Sequence, residues 1–333
     1  MTRIIDDDRF RPPAWLRNTH LQSILPSLPP LKQLAVRRAR AVLAGAEEWL
    51  LDCGEGTRLQ AWHTPALAST TGVGGRLALL LHGWEGSADS AYVLSLAAEL
   101  LRRGYAIVRL NLRDHGDTHH LNPELFHSCR LPEVVGAVQA IAARAQPRRL
   151  YFAGFSLGGN FLLRVAASDQ APPALAGVVA VSPVLEPART LDAMEFGMPV
   201  YERYFVRKWL KSLRIKEQAW PERYDMDATI TERTLRGMTA ALVDRHTEYP
   251  TLAEYLAGYA ITGARLATLA APARLLTAAD DPIIPADDLE HLAPSPQLTV
   301  VRTRRGGHCG FIDRLGRPSF ADRFVVETFD ASE

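Results

Sequence analysis

Six short, almost wholly apolar runs constrain this chain most: Leu77 to Leu81, Tyr105 to Asn111, Leu150 to Ala153, Gly177 to Ser182, Arg274 to Ala278 and Leu298 to Arg302. A strand with one face in water alternates apolar with polar residues, whereas uninterrupted runs mark strands buried on both faces, as in a parallel sheet covered by helices. Helical patterns fall between them. Ala91 to Arg103 carries an apolar face and stops at Gly104, and Pro132 to Ala145 ends ahead of Pro147. This alternation predicts an α/β fold with a mostly parallel central sheet and flanking helices.

The flanking segments have a different texture. Ala41 to Leu43, Glu48 to Asp52 and Leu59 to His63, punctuated by Gly45, Gly54 and Gly56, read as opening antiparallel strands. Residues 1–36 lack a steady period and hold Pro12, Pro13, Pro26, Pro29 and Pro30 around the apolar stretch Trp15 to Leu28, which reads as an arm packed on the core. Peripheral membrane contact by this arm is the lesser reading, because it has few cations. Between Glu186 and Gly263 the chain turns helical, charged and aromatic, with Tyr201, Tyr204, Phe205, Trp209, Trp220, Tyr224, Tyr249, Tyr255 and Tyr259. We expect residues 187–262 to form an inserted helical cap, with the core split into 37–186 and 263–333. For any one of those aromatics, ordinary packing is the default.

The 333 residues suit one sheet with such an insertion, and a balance of 38 Lys plus Arg against 37 Asp plus Glu gives a net charge of +1. No global field therefore favours nucleic acid. Cys53, Cys129 and Cys309 are odd in number, far apart and outside any CxxC spacing, which argues against a disulfide framework or a zinc site and for a reducing cytoplasm. Met1 to Phe10 carries three consecutive aspartates where a secretory signal has a basic patch and an apolar run. No apolar segment approaches the roughly 18–20 residues that cross a bilayer. Oligomeric state cannot be read from the sequence.

The chemistry centres on Leu150 to Arg164, LYFAGFSLGGNFLLR, which sets GxSxG between an apolar strand and an apolar helix. On such a sharp turn Ser156 stands exposed, and small residues at Gly154 and Gly158 let strand and helix approach. The following helix points its N-terminus and the Leu157 amide to where negative charge develops during acyl attack.

A serine nucleophile needs a base. His308 in RGGHCGF follows the last apolar strand between glycines, and an imidazole of ordinary pKa near ~6.5 can take and return the hydroxyl proton near neutrality. His291, in the expected helix Ala286 to Leu292, is the rival. The third member is a carboxylate just after a strand, and RLLTAADDPIIP offers Asp280 and Asp281; Asp281 is the choice because its DxxxP spacing to the following proline resembles the acid loop of many α/β hydrolases, whereas Asp280 has another offset. Its role would be to orient His308 and stabilise its cation. Chain order Ser156, Asp281, His308 matches the order of strand-to-helix-turn hydrolases.

An oxyanion hole takes a second amide, and LLLHGWEGS supplies Trp84 beside Gly83, to pair with Leu157; each such donor is typically worth about 3 kcal/mol. His82 reads as structural. Asp114, His115, Asp117, His119 and His120 crowd NLRDHGDTHH, but without a recognised ligand spacing, so a metal site is the minor reading and the roles of His115, His119 and His120 stay open.

Taken together, the arm WLRNTHLQSILPSL, HGWEGS, GFSLGGN, AADDPIIP and GGHCGF resemble the YheT-like branch of the α/β hydrolases, relatives of the abhydrolase-domain lipases and esterases. The likeness runs through most of the chain and is vaguest in the cap. It implies the α/β-hydrolase fold and esterase or lipase-like activity on fatty acyl esters, without naming acyl length or headgroup. NLRDHGDTHH resembles the DxRGxG turn that follows an earlier sheet strand in many hydrolases of this fold, from which Asn111 and Asp114 depart, and HSC stands in place of HSG at residues 127–129. The expectation is a serine hydrolase that forms an acyl-enzyme on Ser156 with a small-molecule ester and needs no cofactor. The alternatives are an acyltransferase using the same acyl-enzyme and a noncatalytic ligand-binding protein.

Overall fold

The computed structural model describes residues 3–67, 75–229 and 231–332, so Met1 and Thr2 of the acidic N-terminal stretch and residue 230 of the expected cap lie outside the described residues. Its strands are β1 (Arg3–Asp6), β2 (Glu47–Asp52), β3 (Arg58–Thr64), β4 (Arg76–Leu81), β5 (Ala106–Leu110), β6 (Arg149–Phe155), β7 (Leu175–Val181), β8 (Ala273–Ala278) and β9 (Leu298–Thr303). They form one sheet in the order β1-β9-β8-β7-β6-β4-β5-β3-β2. Every pairing from β1 through β5 along this order is parallel, and β5, β3 and β2 pair antiparallel.

The helices are α1 (Thr19–Ile24), α2 (Pro29–Arg38), α3 (Arg40–Ala44), α4 (Ala91–Arg102), α5 (Leu131–Ala145), α6 (Leu157–Ala166), α7 (Pro187–Phe196), α8 (Pro199–Ala219), α9 (Met226–Thr229), α10 (Leu235–His246), α11 (Leu252–Gly258) and α12 (Phe320–Asp330). Strand side chains alternate between two buried clusters. Leu77, Leu79 and Leu81 join one with α5 and α6, while Ala78 and Leu80 join the other with α4 and α12. Both faces of the central parallel strands β4, β6 and β7 are thus dry, which is why their runs lack polar interruption.

Three local expectations change. Ala41 to Leu43 lies inside α3, which turns Val42 into the core. Three apolar residues are too few to separate strand from helix by period. Ala286–His291 is a 3-10 helix ending one residue short of Leu292. Arg3–Asp6 is an edge strand in parallel register with β9, Arg3 opposite Thr299.

Candidate active site

Ser156 stands between the end of β6 and the start of α6, at φ 51° and ψ −121°. A non-glycine residue held there costs on the order of 1–3 kcal/mol, so the surroundings must enforce it. They do so through close backbone contact. A Cβ on Gly154 would meet the Gly158 carbonyl oxygen at 2.5 Å, and one on Gly158 would meet the His82 carbonyl oxygen at 2.3 Å.

Asp281 follows β8 and His308 follows β9, so all three groups sit at carboxyl ends of parallel strands. His308 Nε2 is 3.0 Å from Ser156 Oγ, and His308 Nδ1 is 3.0 Å from Asp281 Oδ2 and 3.2 Å from Oδ1. Asp281 Oδ1 also accepts the Ile283 and Ile284 amides at 2.9 and 3.0 Å, fixing the carboxylate, whose side chain is only 2% exposed. Burial works against a charged His308. The adjacent Cys309 sulfur and the Asp281 carboxylate outweigh it and hold the imidazole well above its ordinary value.

The rivals lie elsewhere. Asp280 Oδ1 accepts the Gly307 amide at 3.0 Å and so braces the His308 loop from below. His291 is exposed, and its carbonyl accepts the Gly263 amide.

The loop after β4 runs against the serine: a Cβ on Gly83 would stand 3.1 Å from Ser156 Cβ. His82 is buried, with Nδ1 2.7 Å from the Gly83 carbonyl and Nε2 accepting the Leu112 amide at 3.2 Å. Burial drives its pKa down to about 4, so it stays neutral and ties this loop to the end of β5. Among the described residues neither the Trp84 nor the Leu157 amide has an intramolecular acceptor. The Trp84 ring stacks on Phe205 at 5.2 Å and meets Trp209 edge-on at 5.3 Å.

The Asp- and His-rich stretch receives a lysine where a metal had been the minor expectation. Lys216 Nζ, fully buried, donates to Asp114 Oδ1 at 2.7 Å and to the carbonyls of Asn122 and Glu124 at 2.7 and 2.8 Å. His115 Nε2 accepts the Glu85 amide at 3.1 Å, His119 Nε2 lies 2.8 Å from Ser212 Oγ, and His120 is exposed. Among the described residues no group of three or more His, Cys, Asp and Glu is arranged to hold a metal ion. In the HSC departure, Cys129 Sγ donates to the Tyr255 carbonyl at 3.3 Å and the Ser128 amide to the Tyr255 hydroxyl at 3.0 Å.

A cavity of about 550 Å³ opens over Ser156. Tyr201, Tyr204, Phe205, Trp209, Tyr255 and Tyr259 line it, whereas Trp220 and Tyr224 pack on the loop carbonyls of His119 and Pro123. Default packing therefore describes only part of the aromatic set. Reasoning from the sequence missed Gln22 and Ser23, although the arm motif containing them is distinctive. Ser23 Oγ accepts the His308 amide at 2.9 Å, and buried Gln22 bonds both backbone groups of Ile312.

A profile of the α/β hydrolase fold matches residues 79–315. The chain belongs to the α/β-hydrolase fold family. It is 24% identical over 320 residues to the putative esterase YheT of Escherichia coli strain K12, covering 91% of this chain and 87% of that protein, which supports the YheT-like branch expected from the sequence motifs. It is 25% identical over 335 residues to human protein ABHD15, covering 96% of this chain and 68% of the relative. Two further curated relatives are matched over only 58% of their length. An esterase from Pyrococcus furiosus shares the fold at a TM-score of 0.57 and 13% identity, over 86% of this chain and 89% of that one. Membership of this α/β-hydrolase family, with esterase- and phospholipase-named relatives, supports hydrolase chemistry. Among the described residues no helix is long and apolar enough to cross a membrane.

Proposed function

We propose that this chain is a serine hydrolase that cleaves carboxylic esters, in the manner of a carboxylesterase or lipase, through an acyl-enzyme on Ser156. The observation that carries the reading is the continuous line from Ser156 Oγ to His308 Nε2 and from His308 Nδ1 to Asp281, each link 3.0 Å. Neutral His308 takes the hydroxyl proton as Oγ bonds the carbonyl carbon, and the imidazolium then gives that proton to the departing alkoxide. Asp281 holds the ring and stabilises its cation without taking the proton. The Trp84 and Leu157 amides receive the oxyanion, and a water activated by the same imidazole releases the acid.

The role of the surrounding segments follows the same reading. Residues 187–262 act as a cap that walls the cavity over Ser156, and residues 1–36 as an arm that braces the His308 loop; both supply lining side chains, among them Ser23, Ile24, Leu191 and Trp209. The preponderance of apolar walls suits an acyl chain.

Labelling with a fluorophosphonate, followed by peptide mass spectrometry, is expected to place the adduct on Ser156 and to find none in Ser156→Ala. A series of 4-nitrophenyl esters graded in acyl length then reads the cavity. Folded protein that neither labels nor hydrolyses any ester of the series would overturn the reading.

A further inference from the structure

The cavity over Ser156 is walled mainly by apolar and aromatic side chains, and apart from histidines its ionisable charged groups are Lys32, Glu85 and Lys208. Lys208 is the unusual one. It projects from α8 on the face that also presents Tyr201, Tyr204, Phe205 and Trp209 to the cavity, positions three to four residues apart on one helical face. Its ammonium donates to the Glu85 backbone carbonyl at 2.8 Å and lies 5.3 Å from the centre of the Tyr204 ring. These contacts fix the charge in place without neutralising it. Among the described residues Lys216 is the lysine that forms an ion pair, and Lys208 has no carboxylate oxygen within 4.0 Å.

A half-buried ammonium held by a carbonyl dipole and a ring quadrupole keeps two of its three donors for a ligand. Glu85 does not cancel it. Burial pushes the Glu85 carboxyl up to about 7 against the pull of Lys208, so near neutrality its charge is only partly formed. A cation prefixed in an apolar enclosure is costly unless an anion arrives to pair with it, and that pairing is stronger there than in water. We propose that Lys208 anchors an anionic group, a carboxylate or a phosphate monoester, on the amphiphilic molecule that occupies the cavity. The proposal rests on the reading of Ser156 as an esterase centre, and it adds the class of molecule that centre takes: an acyl-bearing amphiphile with a negative charge.

The test measures inhibition of neutral-ester hydrolysis by octyl phosphate, octanoate and octanol, which share a chain and differ in the head. Both anions, or one of them, are expected to bind at least roughly tenfold more tightly than octanol, as a charge-assisted hydrogen bond implies. Preference for octyl phosphate alone assigns a phosphate head, and for octanoate alone or both anions a carboxylate-compatible one. Lys208→Met should collapse the anion-to-alcohol ratio towards unity, while Lys208→Arg should keep most of it. Equal binding of all three molecules to the wild type, or an undiminished ratio in folded Lys208→Met, overturns the proposal. Should Lys208→Met not fold, Lys208→Gln takes its place, and an undiminished anion-to-alcohol ratio in that folded variant equally overturns the proposal. If the wild type hydrolyses no ester, the catalytic reading fails by itself, and calorimetric titration of the wild type and Lys208→Met with the same three molecules still decides on Lys208.

Discussion

Gln22 clamps Ile312 from both sides of its peptide group: its Nε2 donates to the Ile312 carbonyl at 2.8 Å and its Oε1 accepts the Ile312 amide at 2.7 Å. The same Nε2 donates to the Leu16 carbonyl at 2.7 Å, and no part of the side chain reaches solvent. One amide thereby joins the N-terminal arm to the loop that carries His308. Gln22→Leu keeps the volume and removes every bond, leaving buried backbone groups unpaired at about 1–3 kcal/mol each. Urea unfolding should show a loss of at least about 3 kcal/mol for the three groups left unpaired, and labelling at Ser156 should slow because the His308 loop loses its brace. An unchanged unfolding midpoint would mean that water replaces the clamp.

Gly158 tests the approach of α6 to the sheet. A methyl group there would sit 2.3 Å from the His82 carbonyl oxygen and 2.5 Å from that of Leu81, both backbone atoms that cannot swing aside. Gly158→Ala should therefore push the start of α6 away from the loop after β4 and separate the Leu157 amide from that of Trp84. The expected readout is loss of fluorophosphonate labelling by at least about 100-fold, the effect of losing one oxyanion donor, together with reduced thermal stability. Retained labelling at the wild-type rate would show that the two amides do not act together.

The parts legible in the sequence were those in which a local pattern and the tertiary environment agree. Leu77 to Leu81 and Leu150 to Ala153 read as buried strands because their surroundings are dry on both sides, and Ser156, Asp281 and His308 stood out because each follows an apolar strand at a turn. β1 was not legible: its four residues Arg-Ile-Ile-Asp are mostly exposed, and only pairing with β9 makes them a strand. Gln22, Lys208 and Lys216 were invisible for a related reason. Their partners Ile312, Glu85 and Asp114 lie 290, 123 and 102 residues away, and nothing in the local sequence marks the meeting.

Lys216 ties α8 to the loop after β5 by filling the space among Asp114, Asn122 and Glu124 with a buried ammonium. Burial pushes the Asp114 carboxyl up and the Lys216 ammonium down, the mark of a pair that persists only because each partner compensates the other. Lys216→Met removes one partner and should cost about 3–5 kcal/mol, since Asp114 and two carbonyls are left buried without their donor. Adding Asp114→Asn should recover part of that loss. A double-mutant cycle in urea measures the coupling, and additive single effects would show that the two charges do not stabilise one another.

The pH dependence should follow His308. Its pKa is held well above the ordinary value of about 6.5, burial being outweighed by Cys309 and Asp281. The imidazole must be unprotonated to take the Ser156 proton, so the labelling rate of Ser156 and kcat/KM for a neutral ester should both rise with pH, with a midpoint above about 6.5. Stability runs the other way. A group whose pKa is raised on folding contributes stability that is fully present below its unfolded value and is lost as pH climbs through its folded value. Asp281→Asn removes the carboxylate 3.0 Å from Nδ1 and should lower the midpoint while cutting kcat by about 10³–10⁴-fold, because the amide no longer holds the required tautomer. A midpoint unmoved by Asp281→Asn would assign the titration to a group other than His308, such as Glu85, which also lines the cavity and has a carboxyl that burial raises to about 7.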